Sequence, residues 1–110
     1  MNYKVTIEKN TRIPYTDLLA FADNGIASST LLKTDTAEVC VMTLDEGEEI
    51  SEHAVPKEVL IQVFEGRIAF TIDGEILDIR PGEIVRMAPQ APHSLRALEP
   101  SRMMLSLLSV

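Results

Sequence analysis

Two histidines, His53 and His93, are the side chains of this sequence most able to do chemistry, and it has no others of their kind. An imidazole can ligate a metal, carry a proton or anchor a polar group of an organic ligand. With only two, a three-histidine metal site within one chain is excluded. Cys40 stands alone, so no internal disulfide can form, and it reads as a small buried hydrophobe of a cytoplasmic protein. Glu46, Glu48, Glu49 and Glu52 crowd the approach to His53. They read as a solvated loop, or else as a patch that repels anions and favours cationic ligands. Asp73 and Asp78 fall in an exposed hairpin and are poor catalytic candidates. Arg67, Arg80, Arg86, Arg96 and Arg102 do not share an inward face, so no anion clamp is expected. There is no Ser-His-Asp order, phosphate-binding glycine loop or Cys-His pair. With no Trp and five aromatic residues, a stacking platform for sugars or bases has little to work with.

The elements that must position the histidines read as β. From Ile26 onward, short apolar runs recur at 26–33, 38–44, 58–64, 67–72, 75–79, 83–88, 93–98 and 103–110. Asp45-Glu46-Gly47, Glu65-Gly66, Asp73-Gly74, Pro81-Gly82 and Glu99-Pro100 punctuate them. Asp73-Gly74 is the strongest hairpin signal, because a type I′ turn needs positive φ at both central residues. Many short antiparallel strands with frequent turns predict an all-β sandwich or barrel. The first 25 residues form a less regular arm, with a short strand around Val5 and Ile7. A helical turn capped by Thr16 or Asp17 follows and ends at Asn24-Gly25.

Alternation aims side chains inward. Val59, Ile61 and Val63 share one face, as do His93, Leu95 and Ala97; Val85 and Met87 oppose Arg86, and Ile68, Phe70 and Ile72 oppose Arg67 and Thr71. If positions 59 and 93 point inward, the expected interior is a mostly apolar pocket lined by Val59, Ile61, Phe70, Val85, Met87, His93 and Leu95. Whether Cys40 or Met42 faces inward is open. Runs 59–64 and 103–108 are apolar on both faces, whereas a strand with one wet face alternates. Something covers that second face: a second copy of the chain in a homodimer, the favoured reading, or the 1–25 arm.

Size and charge narrow the classes. A chain of 110 residues reads as one domain and buries about two-thirds of its unfolded surface. Ten basic against 17 acidic residues give a net charge of −7, which disfavours nucleic acid and anionic membrane as partners. No apolar run is long enough to span a bilayer as a helix. Lys4, Glu8, Lys9 and Arg12 leave no apolar stretch for a secretory leader.

The residues from Gly47 through His53, Pro56 and Gly66, and those from Gly82 through Pro92 and His93, together resemble the two sequence motifs of the cupin superfamily. The first motif is Gly, five residues, His-x-His, three or four residues, Glu, six residues, Gly. The second is Gly, five residues, Pro-x-Gly, two residues, His, three residues, Asn. The resemblance spans about residues 37–98 and implies a double-stranded β-helix, or jelly-roll barrel, of the small single-domain RmlC-like kind, for which no general activity is implied. Residue by residue it is partial. His53 and His93 match the first and last metal-ligand histidines, which implies that positions 53, 55, 59 and 93 point inward and that His53 and Val55 join the pocket lining, with the imidazoles near its mouth. Val55 stands at the second His position, Val59 at the Glu position, Ala88 at the Pro position (with Pro89 one place late) and Ala97 at the Asn position.

Two of four expected ligands are thus β-branched hydrocarbons. A divalent cation needs three or four fixed N or O donors, so His53 and His93 alone imply a divalent transition metal at low occupancy at most. Glu58 neighbours the lost Glu but points to the opposite face unless a bulge at Pro56-Lys57 re-registers the strand; Glu52 and Gln62 are out of phase too. Three roles stay open for the histidines: a weak metal site, polar anchors for an organic ligand, or tolerated relics of the family. Two functions follow. One is a binding module that holds a small molecule in an apolar barrel pocket. The other is a metal-dependent enzyme of oxygenase or isomerase type, its missing ligands supplied by water, substrate or an unforeseen side chain.

Overall fold

The computed structural model describes residues 4–5 and 7–110. Its strands are β1 (Lys4–Val5), β2 (Ile26–Lys33), β3 (Ala37–Leu44), β4 (Glu49–His53), β5 (Glu58–Glu65), β6 (Ile68–Ile72), β7 (Glu75–Ile79), β8 (Ile84–Met87), β9 (His93–Ala97) and β10 (Ser101–Leu108). A 3-10 turn occupies Tyr15–Asp17. Every pairing is antiparallel. The strands form a six-stranded sheet, β1-β2-β3-β10-β5-β8, and a four-stranded sheet, β4-β9-β6-β7. This is an all-β jelly-roll barrel. Its core joins both sheets: Leu44, Val59, Ile61, Val63, Val85, Met87 and Met103 from the larger, Ile68, Phe70, Ile79, Leu95 and Ala97 from the smaller.

Turn chemistry fixes the register that aims these residues. Asp73 and Gly74 both take positive φ, 50° and 82°, as the two-residue hairpin between β6 and β7 requires. Gly66 (φ +84°) closes the β5–β6 turn against Ser101. The Ser101 hydroxyl accepts from Arg67 N at 3.0 Å and lies within hydrogen-bond distance of the carbonyls of Arg67 and Glu99. Gln90 sits where the second motif has its glycine and adopts φ 67°. Its N–H donates to Val55 O at 2.7 Å, tying the β8–β9 loop to the segment after β4.

Two local expectations are corrected. Glu49 and Glu52, read as part of a solvated loop, lie in strand β4, paired with β9. Alternation could not disclose it, because the register slips between Ile50 and His53: Ile50 opposes Leu95 and His53 opposes His93, leaving one extra residue on β4. The helical turn is a single 3-10 turn preceded by Pro14, with no side-chain cap from Thr16 or Asp17. Asn24 does close the segment at φ 51°, its N–H donating to the Asp45 carboxylate.

The arm covers part of the outer face of the six-stranded sheet. Tyr15 stacks on Phe64 at 5.2 Å, Thr43 Oγ1 donates to Ala20 O, and Arg102 donates to Leu19 O at 3.0 Å. Arg102 also lies over the rings of Tyr15 and Phe21 and pairs with Glu65. Elsewhere on that face Leu60 (43%) and Ile84 (64%) remain exposed, with Leu32 and Leu108.

Candidate functional site

The slip in β4 is what builds the site. A regular strand would aim Ile50 and His53 to opposite sides; with one residue extra, both line the same cavity. His53 and His93 become direct cross-strand neighbours, their ring centroids 4.2 Å apart and the planes tilted by 58°. His93 is buried and His53 is exposed, so the pair runs from the interior to the rim.

Both rings are oriented by their own backbone. His53 Nδ1 lies 3.0 Å from Ser51 O, and His93 Nδ1 lies 2.9 Å from Ala91 O. A carbonyl oxygen only accepts, so each Nδ1 must carry the proton, and each neutral ring then presents an Nε2 lone pair. His93 Nε2 has no partner among the described residues, yet it is not sealed off: the only sealed, unpartnered side-chain N or O among them is Arg102 Nε.

The cavity measures about 230 Å³ and is walled by β3, β4, β5, β8, β9 and β10. Of the expected pocket residues, His53, Val55, Val59, Ile61, Met87, His93 and Leu95 are brought together around it. Phe70 and Val85 do not line it; both point inward as alternation demands but pack in the core cluster. The remaining lining residues are Met42, Ile50, Met103, Leu105 and Leu107. The last three sit on β10, where Met103, Leu105 and Leu107 oppose Val63, Ile61 and Val59. Residues directly opposite share a face, so only the strand pairing could have exposed them. Of the two β3 candidates, Met42 lines the cavity. A second, shallower depression of about 320 Å³ lies among Ala69, Thr71, Ile76, Ser94 and Arg96, at an exposed sheet surface without either histidine.

A resident divalent metal does not fit this donor set. Among the described residues no group of three or more His, Cys, Asp or Glu could hold an ion. Val55 and Val59 bring hydrocarbon to the places where the motif has ligands. Glu58 is turned outward and held by Arg86 through two hydrogen bonds, of 2.5 and 3.2 Å, with no register slip between β5 and β8. The Arg86 hydrogen bonds hold the Glu58 carboxyl below its ordinary range. Glu52 is exposed. Burial, and then the Glu38 carboxylate beside it, push the Cys40 thiol up, away from the thiolate a metal would need.

An antiparallel jelly roll of two sheets with a histidine-edged cavity between them defines the class: a small β-barrel with an internal cavity. The chain belongs to the cupin family, whose cupin-domain model matches residues 40–110. Over all of its length it superposes on a conserved protein of unknown function from Streptococcus pyogenes, with TM-score 0.90 and 27% identity across 96% of that chain. A cupin superfamily protein from Desulfitobacterium hafniense aligns with TM-score 0.89 and 18% identity, over 97% of this chain and 99% of the other. A variant of salicylate 1,2-dioxygenase from Pseudoaminobacter salicylatoxidans shares the fold at TM-score 0.69 and 22% identity, over 76% of this chain and 26% of the enzyme. No curated protein sequence matches the chain. No helix among the described residues is long and apolar enough to cross a membrane.

Proposed function

We propose that this cupin is a binding module that takes a small organic molecule into the apolar cavity beside His53 and His93, with metal held at most weakly. One observation carries the reading: ten of the twelve lining side chains are hydrocarbon or thioether, and among the described residues no Cys, Asp or Glu joins the two imidazoles in a group able to hold a metal. Concave apolar sites with a few convergent polar groups are where small ligands bind. Metal catalysis, in contrast, needs several fixed donors, and valines occupy two of their places.

Elemental analysis of untagged protein purified without chelator, together with a toluene titration, tests this. Metal well below one equivalent, with toluene shifting the methyl resonances of Met42, Met87 and Met103, is the expected result. Near-stoichiometric Mn, Fe, Ni, Zn or Cu that is lost in His53→Ala would overturn it in favour of a metal-dependent enzyme. We also propose a cytoplasmic homodimer that uses the outer face of the six-stranded sheet. The support is the exposure of Leu32, Leu60, Ile84 and Leu108 on that face, away from the contacts that Tyr15, Leu19 and Ala20 make with Phe64, Arg102 and Thr43.

A further inference from the structure

The hydrogen-bonding sense of the cavity selects a chemical class of ligand, and this rests on reading the cavity as a binding site. Apart from the weakly accepting methionine sulfurs, the only polar side-chain atoms in the lining belong to His53 and His93. Both Nδ1–H groups are spent on Ser51 O and Ala91 O. In its neutral form each ring then offers a lone pair at Nε2, and the lining holds no other side-chain N–H or O–H. Water can reach these lone pairs in the cavity; a ligand that displaces it without donating leaves an acceptor unmet, which is costly, so the favoured ligand brings a donor.

Charge points the same way. No Lys or Arg lines the cavity. Arg86, the nearest on the β8 wall, is turned outward onto Glu58. Near the rim stand carboxylates: Glu52 beside His53, and Glu38, which directly opposes Leu107. Lys33 pairs with Glu38 at 3.6 Å and offsets one of them. A carboxylate ligand would meet two lone pairs with no cation to hold it.

Size and surface complete the argument. About 230 Å³ exceeds the ~150 Å³ apolar cavity that takes benzene and is less than the ~300 Å³ at which drug-sized pockets begin, so one six-membered ring with a small substituent fills it. Met42, Met87 and Met103 bring three thioethers to the wall, and sulfur packs favourably against aromatic rings. We propose that the cavity binds an uncharged single-ring phenol, whose hydroxyl donates to Nε2 of His93 while the ring packs against the methionine side chains.

Four probes of similar size separate the contributions: phenol, anisole, toluene and benzoate, titrated into protein labelled at the methionine methyls and followed by NMR. Phenol should bind about tenfold tighter than anisole or toluene, the difference a donor to a buried acceptor makes, and benzoate should be weaker still. His93→Leu should shrink the preference for phenol over toluene. Equal binding of phenol, anisole and toluene to the unmodified protein overturns the phenol assignment while leaving the binding reading intact. Benzoate binding tighter than phenol overturns it as well. If neither phenol nor toluene shifts the methyls, the binding reading itself falls. The comparison of phenol with anisole needs no variant, so it stands even where His93→Leu does not fold.

Discussion

Gly66→Ala, set against Gly82→Ala, isolates the close approach that closes the β5–β6 turn. The two glycines have nearly the same backbone angle, φ +84° and +89°, so the strain of placing an L-residue there is shared. That strain is about 1–2 kcal/mol, partly offset by the ~0.5 kcal/mol or more that alanine removes from unfolded-chain entropy. Gly82→Ala meets nothing within 4 Å and should therefore cost about 1 kcal/mol. At Gly66 a Cβ would fall 2.7 Å from Ser101 Cα, and closer still to the Ser101 hydroxyl and the Pro100 carbonyl. Ser101 is fully buried and cannot simply swing away. Overpacking adds about 2 kcal/mol, and breaking the Arg67–Ser101 hydrogen bonds about 1 more, for a total of about 4. With an unfolding entropy of about 2.1 cal/mol/K per residue, 110 residues lose about 4 °C of Tm per kcal/mol. Calorimetry should thus find Gly66→Ala about 16 °C below the parent and Gly82→Ala about 4 °C below. Two variants melting within a few degrees of each other would refute the steric argument.

Three further outcomes follow from the packing. Arg102→Met removes the pairing with Glu65, the bond to Leu19 O and the contacts with Tyr15 and Phe21. It should cost about 3 kcal/mol in urea denaturation, the low end for a broken buried pair because Glu65 is partly solvated, and should open the 14–21 segment to proteolysis first. Unchanged cleavage would mean Arg102 does not hold the arm. Hydrogen bonds from Arg67 hold the Asp78 carboxyl below its ordinary value, as those from Arg86 do for Glu58. With folded pKa values below the unfolded ones, their stabilisation is full above the unfolded values of about 4 and is lost as pH falls through the folded values. The stability gap between the parent and the Asp78→Asn, Glu58→Gln double variant should accordingly narrow from pH 7 toward pH 3; a constant gap would deny the linkage. Leu60→Asp combined with Ile84→Asp should halve the mass seen by sedimentation equilibrium, whereas a parent protein already at the mass of one chain would discard the homodimer.

Much of the barrel could be read from local pattern, because burial on one face imposes a period of two that survives in one dimension. His93-Ser94-Leu95-Arg96-Ala97 alternates and its odd-numbered members are buried, as are Ile68 and Phe70, which oppose Arg67 and Thr71. Asp73-Gly74 is legible for an equally local reason, the backbone angles of a tight turn. Strand β4 was not, since its extra residue breaks the period where charged side chains already mask it. The same slip brings Ile50 and His53 to one wall, so the pattern that hid the strand also hid part of the site.

The sequence by itself determined an all-β sandwich or barrel, the scarcity of imidazole and the presence of valine at positions 55 and 59, because residue type, spacing and turn preference are properties of neighbours along the chain. The double-stranded β-helix was implied by the resemblance of its two motifs to those of cupins. Only the tertiary structure decided that Met42, Met103, Leu105 and Leu107 close the cavity, that Phe70 and Val85 do not line it, and that both imidazoles spend Nδ1 on backbone carbonyls. Those facts depend on which strands pair, in what register, and where one residue is left over. Pairing joins residues far apart in the chain, and no local pattern carries that information.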